Sequence, residues 1–199
     1  MSNKKRRREP NLTYHIFSRC ADLAHLMEPR QMKDLMIEVI HMALNKYHFE
    51  LLSYVIMDNH FHFFIKTIEG EADISRIMQF IKAQYARRYN KITGRKGPFW
   101  NERFGDTIVE ESEDPDFTFN YINIYMIYNP VRAGYVSDPR NYNYGCIDFY
   151  LYENYNSPLK LTFHHSFLRL GNTFEERTRQ FLEFVEMYRK RIIPECLFK

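Results

Sequence analysis

A chain of 199 residues is long enough for one well-buried domain with an extension, or for two small domains. Its composition is globular, with 45% hydrophobic and 27% charged residues and only 7 Gly and 8 Pro, and its net charge of +3 says little by itself about a polyanionic partner. No apolar run reaches 18 residues and the first residues are too polar for a signal peptide, which excludes a membrane span and leaves a soluble cytoplasmic protein as the expectation. Cys20, Cys146 and Cys196 show no pair spacing, and an odd count points to a reducing compartment. Aromatic residues make up 17% of the chain, so flat side chains are plentiful for a core and for stacking on bases.

In chain order, residues 1–11 form a basic arm carrying the run Lys4, Lys5, Arg6, Arg7 and Arg8. TYHIFSRC, 13–20, reads as a first strand. Residues 31–48 place Met32, Leu35, Met36, Val39, Ile40, Ala43, Leu44 and Tyr47 at the spacing of an amphipathic helix. LLSYVIM and HFHFFIKTI follow as two strands, and Asp58-Asn59 between them suits a tight antiparallel turn. A second helix spans about 73–92 on Ile74, Ile77, Met78, Ile81 and Tyr85, with Lys82, Arg87, Arg88 and Lys91 towards its far end. TGRKGP is a basic turn, and DTIVE (106–110) is a candidate fourth strand.

DFTFNYINIYMIY, 116–128, is apolar on most sides, so periodicity alone leaves helix and strand open. Asp114-Pro115 resembles a helix start, and Pro130 with Gly134 closes the segment, which favours the helix. The order β-α-β-β-α-β-α fits an α+β sandwich, an antiparallel sheet covered by helices on one side. Residues 137–199 change in character, rich in Tyr, Asn, Asp and Pro before a last helix that Thr173 to Glu176 opens as a capping box. They read as an extension appended to a domain over 12–136.

Within the third strand, His60 and His62 are two apart and share a face, with Phe61, Phe63 and Ile65 on the other. Two imidazoles about 7 Å apart along a strand can converge on one cation. A bare pair of this kind also fits two half-exposed strand histidines, so a third ligand is required. YMIYNPVRAG, 125–134, offers one: Tyr125 and Asn129 are i and i+4 on a helix, and Asn129, just before a proline, has its amide oxygen free to reach a metal. Each piece alone has an ordinary structural reading, a core tyrosine and a helix stop.

Taken together, MDNHFH (57–62), GPFWNERF (97–104) and YMIYNPVRAG (125–134) resemble the single-tyrosine HUH transposase family, in its REP-associated tyrosine transposase branch. YHIFSRC and IMQFIKAQYARRYN resemble the family's opening strand and second helix, so the likeness spans about 12–145. Asp58 stands where the family has proline, and Cys20 where it has glycine. The resemblance implies a ferredoxin-like catalytic domain in which His60, His62 and Asn129 hold Mg²⁺ or Mn²⁺ and Tyr125 is the nucleophile. It implies cleavage and rejoining of single-stranded DNA beside a REP-like palindromic hairpin, through a 5′-phosphotyrosine intermediate and without ATP; no P-loop is present.

The basic arm, with Lys82, Arg87, Arg88, Arg95, Lys96 and Arg103, is the candidate DNA contact surface. Trp100 closes a core or stacks on a base, the core being the safer reading. Insertion-sequence relatives act as dimers that exchange tyrosine helices, whereas the appended C-terminal segment favours a monomer here. A nucleic-acid-binding module without catalysis, and a metal-dependent phosphodiesterase that uses water, are the rival readings.

Overall fold

The computed structural model describes residues 9–196, so the run Lys4–Arg8 lies outside the described residues. Four strands, β1 (Thr13–Arg19), β2 (Phe49–Ile56), β3 (His60–Thr67) and β4 (Gly105–Ile108), form one antiparallel sheet in the order β2-β3-β1-β4. Helix α1 (Arg30–Lys46) joins β1 to β2, α2 (Ile74–Thr93) joins β3 to β4, and α3 (Pro115–Ile127) follows β4. The α+β order read from the sequence is therefore the order of the fold. Further along the chain come α4 (Asn129–Arg132), α5 (Ile147–Leu151), α6 (His165–Leu168) and α7 (Phe174–Cys196).

Local chemistry explains most boundaries. The Asp73 carboxylate accepts from the Arg76 amide to start α2, and Gly94, at φ 69°, ends it in the left-handed conformation that costs glycine nothing. Asp114 accepts from the Phe117 amide and Pro115 opens α3, which makes 116–127 a helix despite its lack of periodicity. At α7 the capping box is reciprocal: Glu176 N donates to Thr173 Oγ1, and Thr173 N donates to the Glu176 carboxylate, each at 3.2 Å.

The sheet is covered on both faces, where one was expected. Alternation sends Tyr14, Ile16 and Ser18 of β1 and Phe61, Phe63 and Ile65 of β3 towards α1 and α2. Lys82 of α2 donates to Ser18 Oγ at 2.7 Å, and Trp100 packs edge-on to Phe61 with its indole N–H on the Lys82 carbonyl at 3.0 Å. Trp100 is thus part of the core. The opposite face receives α3, where Phe119 meets Phe64 at 4.8 Å between ring centres. A helix apolar on most sides is what a position between a sheet and further helices requires, and α6 and α7 pack on the outer side of α3.

Residues 137–196 are knitted to this core. The Ile56 amide donates to the Tyr144 carbonyl at 2.9 Å, and the hydroxyls of Tyr142 and Tyr150 donate to the carbonyls of Ile56 and Leu52, each at 2.7 Å. These contacts run along β2 and occupy a sheet edge that would otherwise be open to pairing with another chain. Tyr150, Phe167 and Phe181 are fully buried. Replacing Phe181 by Ala is expected to lower unfolding stability by about 3–5 kcal/mol. Leu182→Ala next to it, 44% exposed, is expected to stay within about 0.5 kcal/mol. Urea unfolding of the two variants checks both.

Candidate active site

The face of the sheet opposite α1 and α2 carries the histidines. β3 presents His60, His62, Phe64 and Lys66, and the register with β1 sets Arg19 beside His60, Phe17 beside His62 and His15 beside Phe64. The Phe17 ring lies over Gly105 of β4, where a Cβ would come within 2.2 Å of Cζ, so a larger residue at 105 would displace the ring from this face.

His60 is oriented by the turn before it. Its Nδ1 lies 2.6 Å from Asn59 Oδ1, and Asn59 Nδ2 donates to the Leu23 carbonyl at 3.2 Å. An amide oxygen only accepts, so His60 carries its proton on Nδ1 and leaves Nε2 as a lone pair. That lone pair faces Asn129 Oδ1 at 3.4 Å, and Asn129 Nδ2 is buried with no hydrogen-bond partner. The two atoms are close enough that they could share a cation.

His62 is almost wholly buried, its ring 5.1 Å from that of His60 and edge-on to Tyr125 at 5.9 Å. Its Nδ1 lies 3.0 Å from Nε2 of His15, itself buried. Burial lowers the pKa of His60, lowers that of His62 well below the ordinary value, and lowers that of His15 to about 4. All three are neutral near pH 7, the form in which imidazole ligates.

The tyrosine and the amide come from the other layer. Asn129 begins α4 just after α3 ends, with the Arg132 amide bonded to the Tyr128 carbonyl and the Ala133 amide to the Asn129 carbonyl, so the proline that stops α3 sets Asn129 at the break. Arg132 stands with Cζ 4.9 Å from the ring centre of Tyr125. Partial burial works against its charge, yet the Tyr188 and Tyr125 hydroxyls raise its pKa. Tyr188 comes from α7 and is buried, so the C-terminal helix reaches the surroundings of Tyr125. Tyr121 instead stacks on Phe117 at 5.7 Å and meets Tyr188, one helical turn before Tyr125.

Among the described residues no three His, Cys, Asp or Glu gather in a way that could hold a metal ion. The candidate donors are two neutral imidazoles and an amide oxygen, which could hold a divalent cation with further positions left for water and a phosphate oxygen; the nitrogen donors favour a transition ion over Mg²⁺. The residues present fit such an ion.

The expected basic contacts are spread out. Lys82 serves the other face of the sheet through Ser18 and the Glu102 carbonyl. Arg87 donates to Gln84, and the Arg88 Nε is buried without a hydrogen-bond partner. Arg95 donates to the Pro98 carbonyl, while Lys96 and Arg103 are exposed on the segment between α2 and β4. These hydrogen bonds all lead away from the histidine pair. Arg19, exposed and paired with His60 across the strands, stands beside that pair and was not among the expected residues. Nor were His15, Asn59 and Arg132. YHIFSR carried the signal for two of them, since alternation puts His15 and Arg19 on one face of the strand that pairs with HFHFF. Asp58, in the family's proline position, forms an ion pair with Lys33 at 2.6 Å that braces the turn before His60.

The family model described as "Transposase IS200 like" matches residues 9–124, and the chain belongs to that family. The match includes both histidines and ends one residue before Tyr125. A protein of Haemophilus influenzae named "Putative REP-associated tyrosine transposase" is 24% identical over 107 residues, which cover 49% of this chain and 58% of the relative. The fold is also that of a REP-associated tyrosine transposase solved bound to a REP hairpin, with a TM-score of 0.64 and 19% identity over 82% of this chain and 94% of that one. The family read from the motifs is therefore the one whose model matches the chain. No helix among the described residues is long and apolar enough to cross a membrane.

A pH dependence of stability follows from the buried imidazoles. The unfolded chain takes up protons near pH 6.5 that His15, His62 and His164, the last lowered by burial to about 3, refuse when folded. Their contribution is full above the unfolded pKa and declines as the pH falls towards the folded values. The Tm is expected to drop between pH 6.5 and 5, above the main carboxylate range, and to drop less steeply in His164→Gln; calorimetry across that window checks it.

Proposed function

We propose that the protein cleaves and rejoins single-stranded DNA beside a hairpin of the REP type, using Tyr125 as the nucleophile. The observation that carries this reading is the convergence of His60 Nε2 and Asn129 Oδ1, with His62 edge-on to Tyr125. A divalent cation, Mg²⁺ or Mn²⁺, held by His60, His62 and Asn129 would supply positive charge at the non-bridging oxygens of the scissile phosphate.

A tyrosine hydroxyl is a weak nucleophile near neutral pH and needs help from a neighbouring group. Arg132, beside the Tyr125 ring, brings a positive charge close to the attacking group. In the forward step the Tyr125 oxygen loses its proton to solvent and forms a bond to phosphorus. The bond from phosphorus to the 3′ oxygen breaks, and that oxygen takes up a proton. The products are a 5′-phosphotyrosine and a free 3′-OH. The phosphodiester's energy is kept in the new ester, so attack by a 3′-OH can reverse the step without ATP. Arg19 beside His60 is suited to hold a phosphate oxygen of the strand entering this face.

The rivals differ in product. A water-using phosphodiesterase leaves no protein adduct, and a binding module leaves the strand intact. With hairpin DNA and Mn²⁺, the protein is expected to form a denaturant-resistant complex that maps by mass spectrometry to Tyr125. Tyr125→Phe should bind the hairpin as wild type and form no adduct, and Tyr121→Phe should keep it. His60→Ala and His62→Ala should each abolish cleavage with binding largely retained, and Asn129→Ala should be the milder change, because water replaces an amide oxygen more readily than an imidazole. An adduct on a peptide without Tyr125, or full cleavage by the double histidine variant, would rule the reading out.

Lys4–Arg8 are proposed to add to hairpin affinity by releasing counterions from the phosphate backbone. Removal of residues 1–9 is then expected to weaken binding and to flatten the dependence of log K on log salt by several units, at about 0.7–0.9 for each phosphate that the arm neutralises. An unchanged slope in a binding titration from 50 to 200 mM salt, about the range in which such slopes are read, would remove the arm from the interface.

A further inference from the structure

We infer that His15 is a positioning residue that fixes the tautomer of His62 and thereby aims its Nε2 into the site. The inference rests on the metal-binding reading of His60, His62 and Asn129 and goes beyond it to the first strand.

His15 Nε2 and His62 Nδ1 are 3.0 Å apart, with the two ring planes within 4° of each other. Both residues are 7% exposed, so water does not compete for this contact. With both rings neutral, the bond between them holds one proton, and that proton has two possible homes. If it sits on His15, His62 accepts through Nδ1 and carries its own proton on Nε2, turning an N–H towards the site, where no cation can use it. If it sits on His62, Nε2 is a lone pair and His62 can ligate. Ligation therefore requires His15 to accept through Nε2 and to carry its own proton on Nδ1.

Packing holds the His15 ring in place. Its ring is packed by Phe17 at 5.8 Å and Phe64 at 5.5 Å, and its register partner on β4 is Thr107. With Nε2 engaged by His62, His15 is not available as a ligand itself. The companion histidine has the parallel arrangement: His60 Nδ1 is bound by Asn59 Oδ1, which leaves its Nε2 free. Each imidazole of the pair thus has its Nδ1 occupied and its Nε2 directed away from that partner. A metal-bound histidine usually gives its second N–H to a carboxylate, a carbonyl or water, and removing that partner typically costs 10–100-fold in metal affinity. A neutral imidazole in this position supports the ligand without adding a negative charge beside a phosphate.

The test separates this role from simple packing and from the metal-site reading. Mn²⁺ affinity is measured by electron paramagnetic resonance on the full chain without DNA, for wild type, His15→Leu, His15→Gln and His62→Ala. Gln reaches the His15 Nε2 position with an amide oxygen that accepts, whereas Leu fills the space and accepts nothing. His15→Leu is expected to weaken Mn²⁺ binding about 10–100-fold, and His15→Gln to restore it to within about threefold of wild type, an allowance of about 0.7 kcal/mol. Wild-type affinity in His15→Leu together with lost affinity in His62→Ala would overturn the inference and leave the metal site standing. Unchanged affinity in His62→Ala would overturn both, and equal losses in the Leu and Gln variants would reduce His15 to a packing role. Should the variants not fold, imidazole ¹⁵N shifts of the metal-free wild-type protein decide. The proton of His62 is expected on Nδ1, and its presence on Nε2 overturns the inference.

Discussion

The antiparallel register between β1 and β3 is the constraint on which the candidate site depends. Side chains alternate across a strand, so a slip of one residue would exchange the faces and send His60 and His62 towards α1 and α2. The slip is opposed by Phe61, Phe63 and Ile65, which would be carried out of the core, and by Tyr14 and Ile16 beside them, all fully buried. The hydrophobic face of β3 thus fixes the polar one. Because β1 and β3 are central neighbours, both edges of the pair are occupied, by β2 and β4, and the histidines are held in a part of the sheet where little can move.

The second layer supplies what a sheet cannot. Tyr125 and Asn129 stand near the histidines only because α3 lies across the face that α1 and α2 leave open, anchored by Phe119 on Phe64. Asn129 then depends on a break in the helix: Pro130 has no N–H to continue the α3 ladder, and the chain restarts as α4 with the amide side chain at the joint. From outside, α6 and α7 press on α3, and Asp116 at its first turn accepts from Ser166 Oγ at 2.6 Å and pairs with Arg169. Segments far apart in sequence therefore meet over one helix, which explains why residues 137–196 are so deeply packed despite their loop-like composition.

Neutrality is the electrostatic theme of the site. Burial holds His15, His60 and His62 uncharged, while Arg19 and Arg132 stand at the margins as permanent cations and lower the His62 pKa further. Neutral imidazoles bordered by arginine suit an anionic partner, since the rings bring no negative charge and the guanidinium groups bring positive charge that survives any working pH. The outer contacts follow the same pattern, with an asparagine behind His60 and a histidine behind His62, and no carboxylate in either place.

What the sequence determined by itself was local or carried by motif. The strands and helices around His60, the Asp114-Pro115 start of α3 and the Thr173–Glu176 capping box are written in neighbouring residues, because alternation, the 3.6-residue period and capping act over a few positions. HFH, GPFW and YMIYNPVRAG, read together, pointed to the right family although each alone has an ordinary explanation. Tertiary structure decided the rest. Only the folded sheet brings His15 to His62 across 47 positions and Arg19 opposite His60. Only packing shows that Lys82 serves the other face, that Asp58 is held by Lys33, and that the sheet is covered on two sides. These are long-range pairings whose partners are chosen by register and burial, and neither quantity exists until the chain has closed on itself.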